Sequence, residues 1–263
     1  MKLKDQAVII TGSSSGVGAA TALMCAGEGA SVVINYSRNQ SGAEATAQKC
    51  RDAGGKALVV QANVAEDADC RALAEAALSE FGRIDALVNN AGTTKFCPME
   101  DLEGVSAEDF SDIFGVNLLG PFQMARACAP HLRKHPGAAI VNVSSIAGIL
   151  GTGSSIPYAA SKGALITMTL SLARVLAPEV RVNAVCPGFI AGEWLQKGLG
   201  DDAYGKAKSG WEAATPLERV AANEDIAEAI LYLISGARIV TGETITLDSG
   251  YHLKKGGLVP KER

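Results

Sequence analysis

A doubly wound parallel sheet of about seven strands, with helices on both faces in the Rossmann manner, is the α/β fold class that this sequence predicts. Three observations carry the prediction. Short, unbroken apolar runs recur along the chain, Ala- and Glu-rich stretches of helical length lie between them, and a glycine-rich turn follows the first run. Strands that are apolar at successive positions are covered on both faces, as parallel sheets are, and alternation with helices is how such sheets are wound.

The first run, Ala7–Ile10, begins after only Met1-Lys2-Leu3-Lys4-Asp5-Gln6, which leaves no room for a signal peptide. Thr11-Gly12-Ser13-Ser14-Ser15-Gly16-Val17-Gly18 follows at once and opens a helix expected over Ala19–Glu28. Gly12 permits a tight turn, Gly16 lets the backbone approach a pyrophosphate, and Gly18 lets the helix pack on the strand. Phosphate oxygens then meet free N–H groups at the positive end of the helix dipole. The second run, Ser31–Ile34, continues into Asn35-Tyr36-Ser37-Arg38. No carboxylate stands there to grip a ribose 2′-hydroxyl. Arg38 instead offers a planar cationic fork for phosphate oxygens, with Ser37 beside it, so NADP(H) is predicted over NAD(H).

Further along, helices are expected over Ala43–Ala53 and Ala68–Phe81, with strands at Ala57–Val60 and Ala86–Val88. A long helix over Ala107–His135 precedes a strand at Ala138–Val143, a helix over Tyr158–Leu176, and strands at Val180–Val185 and Thr244–Leu247. Residues 189–217 break the alternation with five glycines, two tryptophans and a tyrosine. The segment leaves the carboxyl end of a strand, where doubly wound sheets bind ligands, and is expected to be a mobile substrate lid. Lys254-Lys255-Gly256-Gly257 reads as a solvated tail. There is no repeat or linker, so residues 1–263 are expected to form a single dinucleotide-binding and catalytic domain.

Composition excludes several function classes. The net charge is −4 and no basic tract breaks the balance, which argues against a nucleic-acid partner. No apolar run reaches the ~18 residues of a membrane span. Cys25, Cys50, Cys70, Cys97, Cys128 and Cys186 are scattered, with no C-x-x-C pair and no histidine at ligand spacing. They read as small apolar fillers in a reduced cytosol, with no metal site. A soluble, cytoplasmic protein is expected.

The chemistry centres on Ile156-Pro157-Tyr158-Ala159-Ala160-Ser161-Lys162. Four positions apart on a helix, Tyr158 and Lys162 share a face. An ammonium so placed favours the phenolate and lowers the tyrosine from its free value of about 10. Such a tyrosine can trade a proton with an alcohol, which points to chemistry at a carbonyl or carbinol. Ser145 and Asn117 are further polar candidates, upstream at the ends of apolar segments.

At this point the chain resembles the short-chain dehydrogenase/reductases of the single-domain type, over roughly residues 5–252. The likeness rests on Thr11-Gly12-x-x-x-Gly16-x-Gly18, Asn89-Asn90-Ala91-Gly92, Val116-Asn117-Leu118, Val143-Ser144-Ser145, Tyr158-x-x-x-Lys162 and Pro187-Gly188, in family order. The resemblance implies that Tyr158 is the general acid in reduction and that Lys162 lowers its pKa and binds the nicotinamide ribose. It implies that Ser145 holds the substrate oxygen and that Asn117 holds a water linking Lys162 to solvent. For the cofactor it implies contacts from Gly12, Ser14, Ser15, Gly16, Val17, Gly18, Ser37, Arg38, Tyr158 and Lys162. Asn63 and Val64 would meet adenine, Asn90, Ala91 and Gly92 the adenosine ribose, and Pro187, Gly188 and Ile190 the nicotinamide. A homotetramer is also implied, in keeping with apolar residues on more than one face of the long helices.

The sequence departs from the family pattern at three places. Asn63 stands where an Asp is usual, Ser15 where NADP-dependent members often carry a base, and Gly192 where a Thr is common. The substrate is left open. The chain is similar to 3-oxoacyl-carrier-protein reductases and also to sugar and secondary-alcohol dehydrogenases that use NAD. Arg133 and Lys134 offer basic groups for an acidic carrier protein, but Ala177-Pro178-Glu179 lacks another. Ser154, Ile156, Phe189, Trp194 and Leu195 would wall a pocket for a small or medium ketone. A non-catalytic nucleotide-binding redox sensor is the rival reading; proteins of that kind typically lose Tyr or Lys, and both are present.

Overall fold

The computed structural model describes residues 3–253, so the tail at 254–257 lies outside the described residues. The strands are β1 (Ala7–Ile10), β2 (Ser31–Tyr36), β3 (Lys56–Gln61), β4 (Ala86–Asn89), β5 (Ala138–Val143), β6 (Val180–Pro187) and β7 (Thr244–Leu247). They form one sheet in the order β3-β2-β1-β4-β5-β6-β7, and every pairing is parallel. The order reverses between β1 and β4. Carboxyl ends diverge at such a switch point and leave a crevice for a ligand.

The helices are α1 (Gly16–Gly27), α2 (Gln40–Asp52), α3 (Asp67–Phe81), α4 (Ala107–Phe114), α5 (Gly120–Leu132), α6 (Ala147–Leu150), α7 (Ile156–Leu176), α8 (Glu193–Leu199), α9 (Asp201–Ala214) and α10 (Asn223–Ser235). Because side chains alternate along a strand, Val8 and Ile10 face one side and Ile9 the other. The first side packs Val8, Ile10, Val32 and Ile34 against Cys25 and Ala26 of α1, Ala47 of α2 and Ile230 of α10. The second packs Ile9, Val33, Leu87 and Ile140 against Leu73 of α3, Met124 and Cys128 of α5 and Leu176 of α7. All six cysteines are buried and unpaired. Among the described residues no helix is long and apolar enough to cross a membrane, and no group of acidic, His or Cys side chains is gathered to hold a metal.

The single helix expected over Ala107–His135 is instead two helices, separated by a π turn at Gly115–Leu119. The reason lies in Gly120-Pro121. Proline has no N–H to donate to the carbonyl four residues back, which is that of Asn117. The chain answers by widening its register, and Gly120 N–H donates to Gly115 O. Asn117 is thereby carried into the interior on a π turn, a feature that recurs at functional sites.

Candidate active site

The crevice at the switch point is built from β1's end and β4's end. Gly12 and Gly16 both adopt positive φ, +62° and +58°. A Cβ on Gly12 would lie 2.8 Å from Ala91 Cα, and one on Gly18 only 2.5 Å from Asn90 Nδ2, so neither position tolerates a side chain. Gly16 differs: a Cβ there would meet only Asn223 Oδ1, at an ordinary contact distance of 3.7 Å. A phosphate can therefore approach the N-terminus of α1 over Gly16 and Val17. The turn is held by groups that pattern reading passed over. Asn35 Oδ1 accepts from Gly12 N–H (3.0 Å), Asn35 N–H donates to Ser13 Oγ (2.9 Å), and Ser13 Oγ donates to Ile10 O (2.7 Å). Ser13 and Asn35 are buried, and the only sequence signal was a polar residue ending an apolar strand. The hydroxyl of Ser15 makes no cap bond to α1. Ser37 and Arg38 are exposed beyond β2, and Arg38 has no ion pair among the described residues.

Helix α7 places the two central side chains. Ser155 caps it by accepting from Tyr158 N–H, and Pro157 suits its first turn. Tyr158 thus stands at the mouth of the crevice and Lys162 one turn deeper, 4% exposed. Lys162 Nζ donates to Val143 O at 2.8 Å and has no carboxylate partner among the described residues. It lies 5.7 Å from the centre of the Tyr158 ring. Ser144 Oγ donates to Lys162 O (2.8 Å), which docks α7 on the end of β5. Helix α6 approaches α7 backbone to backbone, since a Cβ on Gly148 would be 2.5 Å from Gly163 N. That approach brings Ser145, two residues ahead of α6, to hydrogen-bond the Tyr158 hydroxyl. Asn117 joins from the π turn. Its Oδ1 accepts from Thr93 N–H (2.8 Å), while its Nδ2 donates to Thr93 O and Ser161 Oγ, each at 3.0 Å. Between them lies Gly92, where a Cβ would stand 3.5 Å from Asn117 Oδ1 and 3.6 Å from Lys162 Nζ. The four polar residues picked out in the sequence therefore meet at one place.

The electrostatics differ from expectation. Lys162 does not lower the phenol in the chain by itself. Burial pushes Tyr158 up to about 12, opposed by the Ser145 hydrogen bond and reinforced by Cys186. Burial likewise pushes Lys162 down, to about 8, with Cys186 working the other way. The physical cause is common to both, because a low-dielectric setting disfavours either charged form.

Other expected contacts take different roles. Asn90 Nδ2 donates to the carbonyls of Thr11 (2.9 Å) and Gly12 (3.0 Å), so its amide nitrogen holds the glycine turn instead of reaching for a ribose. Asn63 Oδ1 accepts from Ala65 N–H (3.2 Å), leaving one lone pair for an adenine. Val64 is buried against Gly120, so only its backbone can meet a base. Gly188 is bare because a Cβ there would be 2.8 Å from Asp248 Cβ. Pro187 closes β6, and Ile190 bridges to Ala221. Phe189 is buried beside Tyr204 and Trp211. Arg133 and Lys134 are not at the pocket mouth. They follow the C-terminus of α5 just before β5 begins, at the amino ends of the strands, and Arg133 Nη2 donates to Val175 O at the far end of α7.

A crevice at a switch point, with a phenol at its mouth, a buried amine one turn deeper and two hydrogen-bonding side chains beside them, defines a nucleotide-dependent oxidoreductase. The comparisons agree. A family model described as enoyl-(acyl carrier protein) reductase matches residues 12–252. The chain is 42% identical to ketoacyl reductase 2 of the granaticin polyketide synthase of Streptomyces violaceoruber, over 93% of this chain and 95% of that protein. It is 33% identical to a 3-oxoacyl-[acyl-carrier-protein] reductase of Staphylococcus epidermidis, over 95% of this chain and all of that one (100%). A solved structure from Burkholderia xenovorans, described as a short-chain dehydrogenase/reductase, superposes with a TM-score of 0.88 at 42% identity, covering 94% of this chain and 98% of its own. The chain belongs to the short-chain dehydrogenase/reductase family. It is an NAD(P)-dependent oxidoreductase acting on CH–OH and keto groups.

Proposed function

We propose that this protein reduces a small or medium uncharged ketone to a secondary alcohol with NADPH, using Tyr158, Lys162, Ser145 and Asn117. The observation that carries the reading is Lys162, an amine buried with no carboxylate beside it among the described residues and one turn from a half-buried phenol. Lone buried lysines are rare in structural roles. The bound nicotinamide supplies the hydride. Ser145 and Tyr158 donate hydrogen bonds to the carbonyl oxygen, which is where negative charge develops. A phenol held near 12 keeps its proton at neutral pH and releases it to the far more basic alkoxide, which suits the acid's role in reduction. An ammonium near 8 beside that phenol can then return a proton to it downhill. Asn117, whose backbone carbonyl cannot accept from Pro121 as an α ladder would require, is suited to hold the water that refills Lys162.

The remaining contacts follow the same reading. The preference for NADPH rests on Arg38, exposed and without an ion pair among the described residues, with Ser37 beside it and no carboxylate at the end of β2. Residues 189–217 serve as the substrate lid, on one catalytic domain spanning 1–263. Apolar side chains left exposed on α5 and α7, Phe122, Leu170 and Val175 among them, support a homotetramer. A cytoplasmic setting is consistent with six unpaired cysteines. The relatives named as ketoacyl reductases make a 3-oxoacyl thioester a reasonable substrate, although the basic pair at 133–134 faces away from the site. The test is kcat/KM with NADPH and NADH for wild type, Arg38→Ala and Tyr158→Phe. NADPH is expected to be preferred, Arg38→Ala to erase about tenfold to a hundredfold of that preference, and Tyr158→Phe to abolish turnover with cofactor binding intact. An unchanged preference in Arg38→Ala removes Arg38 from the site, unchanged turnover in Tyr158→Phe removes Tyr158 from the chemistry, and no turnover of any ketone by wild type returns the redox-sensor reading.

A further inference from the structure

The loop after β4 and the lid meet directly above Tyr158. Cys97 N–H donates to Ser154 O (2.8 Å) and Thr94 Oγ1 lies 2.7 Å from Ser154 Oγ, which ties the loop to the residues just before α7. Phe96 projects from this tethered loop. The ring of Trp194 on α8 stands between Phe96 and Tyr158, with centres 5.6 Å and 6.1 Å away and tilts of 53° and 41°. One turn further along α8 is Gly198, and a Cβ there would lie 2.0 Å from the Phe96 ring. Phe96 therefore rests on bare backbone, and any side chain at 198 must expel it. Helix α8 buries none of its own side chains, and Trp194 is 48% exposed. What seats the helix over the site is this set of ring contacts. Nearby charges are already matched among the described residues, Lys95 with Asp109 and Glu193 with Lys197, each at 2.7 Å, and the loop also offers the hydroxyl of Thr94 beside that of Ser154.

We propose that Phe96 and Trp194 form a two-ring cover that selects ketones bearing a flat, uncharged apolar group beside the carbonyl, and that Gly198 sets where the cover stands. Tilted ring pairs at these separations attract each other, and an incoming planar group can take over the contacts that Trp194 makes with its neighbours. A compact aliphatic group presents too little face to do so. Among the described residues, Lys95 and Lys197 are already paired, so a carboxylate finds no free cation beside these rings. This inference rests on the carbonyl-reduction reading above.

The experiment measures kcat/KM with NADPH for ethyl benzoylacetate and ethyl acetoacetate in wild type, Trp194→Ala, Phe96→Ala, Gly198→Ala and the double variant Phe96→Ala/Gly198→Ala. Wild type is expected to favour the phenyl ketone. Trp194→Ala, Phe96→Ala and Gly198→Ala should each lose at least tenfold of that preference, read as the ratio of the two kcat/KM values and arising chiefly through KM for the phenyl ketone. Gly198→Ala should also melt below wild type, and removing the ring in the double variant should restore Tm without restoring the preference. If Gly198→Ala does not fold, Trp194→Ala and Phe96→Ala decide the matter. Equal use of both ketones by wild type, or a preference unchanged in Trp194→Ala and Phe96→Ala, overturns the cover while leaving the reductase reading intact. No turnover of either ketone, with NADPH still bound, overturns both.

Discussion

Lys162 titrates near 8 where a free lysine titrates at 10.5, and that displacement is unfavourable to folding by on the order of 3 kcal/mol below pH 8. Two outcomes follow at the scale of the residue. If the amine must be charged to refill Tyr158, kcat/KM for reduction should fall tenfold per pH unit above about 8, read from a pH profile of the free enzyme. The second concerns stability. Between pH 8 and 10.5 the unfolded chain keeps the lysine proton that the folded chain has lost, so this group favours the folded state increasingly as pH rises. Lys162→Met should therefore be inactive yet melt higher than wild type at pH 7, with the gap closing by pH 10. A Tm lower than wild type at pH 7 would mean that the bond to Val143 O outweighs the buried charge. Tyr158, Lys162, Ser145 and Asn117 were legible in the sequence because each sits in an ordered motif. Ser13, Asn35, Gly148 and Gly163 were not, because each acts on a neighbour distant along the chain, and spacing carries no sign of that.

At the scale of the element, strands were easier to read than helix interruptions. The seven apolar runs all appear as strands, extended by one or two residues where polar Asn35, Gln61, Asn89 and Pro187 still pair. Helix periodicity ran through 107–135 without a visible gap, since Asn117 and Gly120 fit a helix as well as a turn; only Pro121 marked the break. Pro121→Ala supplies the missing N–H and should let the α ladder run on. The expected result is a fall in kcat of about tenfold or more as Asn117 leaves Thr93 and Ser161, with Tm equal to wild type or higher. A kcat within twofold of wild type would show that the π turn is dispensable. The two helices within 189–217 escaped a pattern reading because neither α8 nor α9 buries a side chain, so there was no apolar stripe to find.

For the whole molecule, the alternation of strand and helix settled the class of fold, whereas strand order depends on crossovers that no local signal records. The assembly is testable at this scale. Leu170 on α7 is 48% exposed, and Leu170→Glu should lower the mass seen by light scattering while leaving the circular dichroism spectrum unchanged. A monomeric wild type at micromolar concentration would remove the tetramer. One feature of the crevice bears on how substrate enters. Thr11 Oγ1 accepts from the N–H groups of Asn90 and Ala91, both at 3.0 Å, while Asn90 grips the glycine turn from the other side. The two walls are stitched together at their base, so neither half of the sheet can hinge away from the other without breaking four bonds at once. On the proposed reading of residues 189–217 as a lid, substrate and product pass on the α8 side, and amide exchange at 90–91 should stay slow even while that door swings.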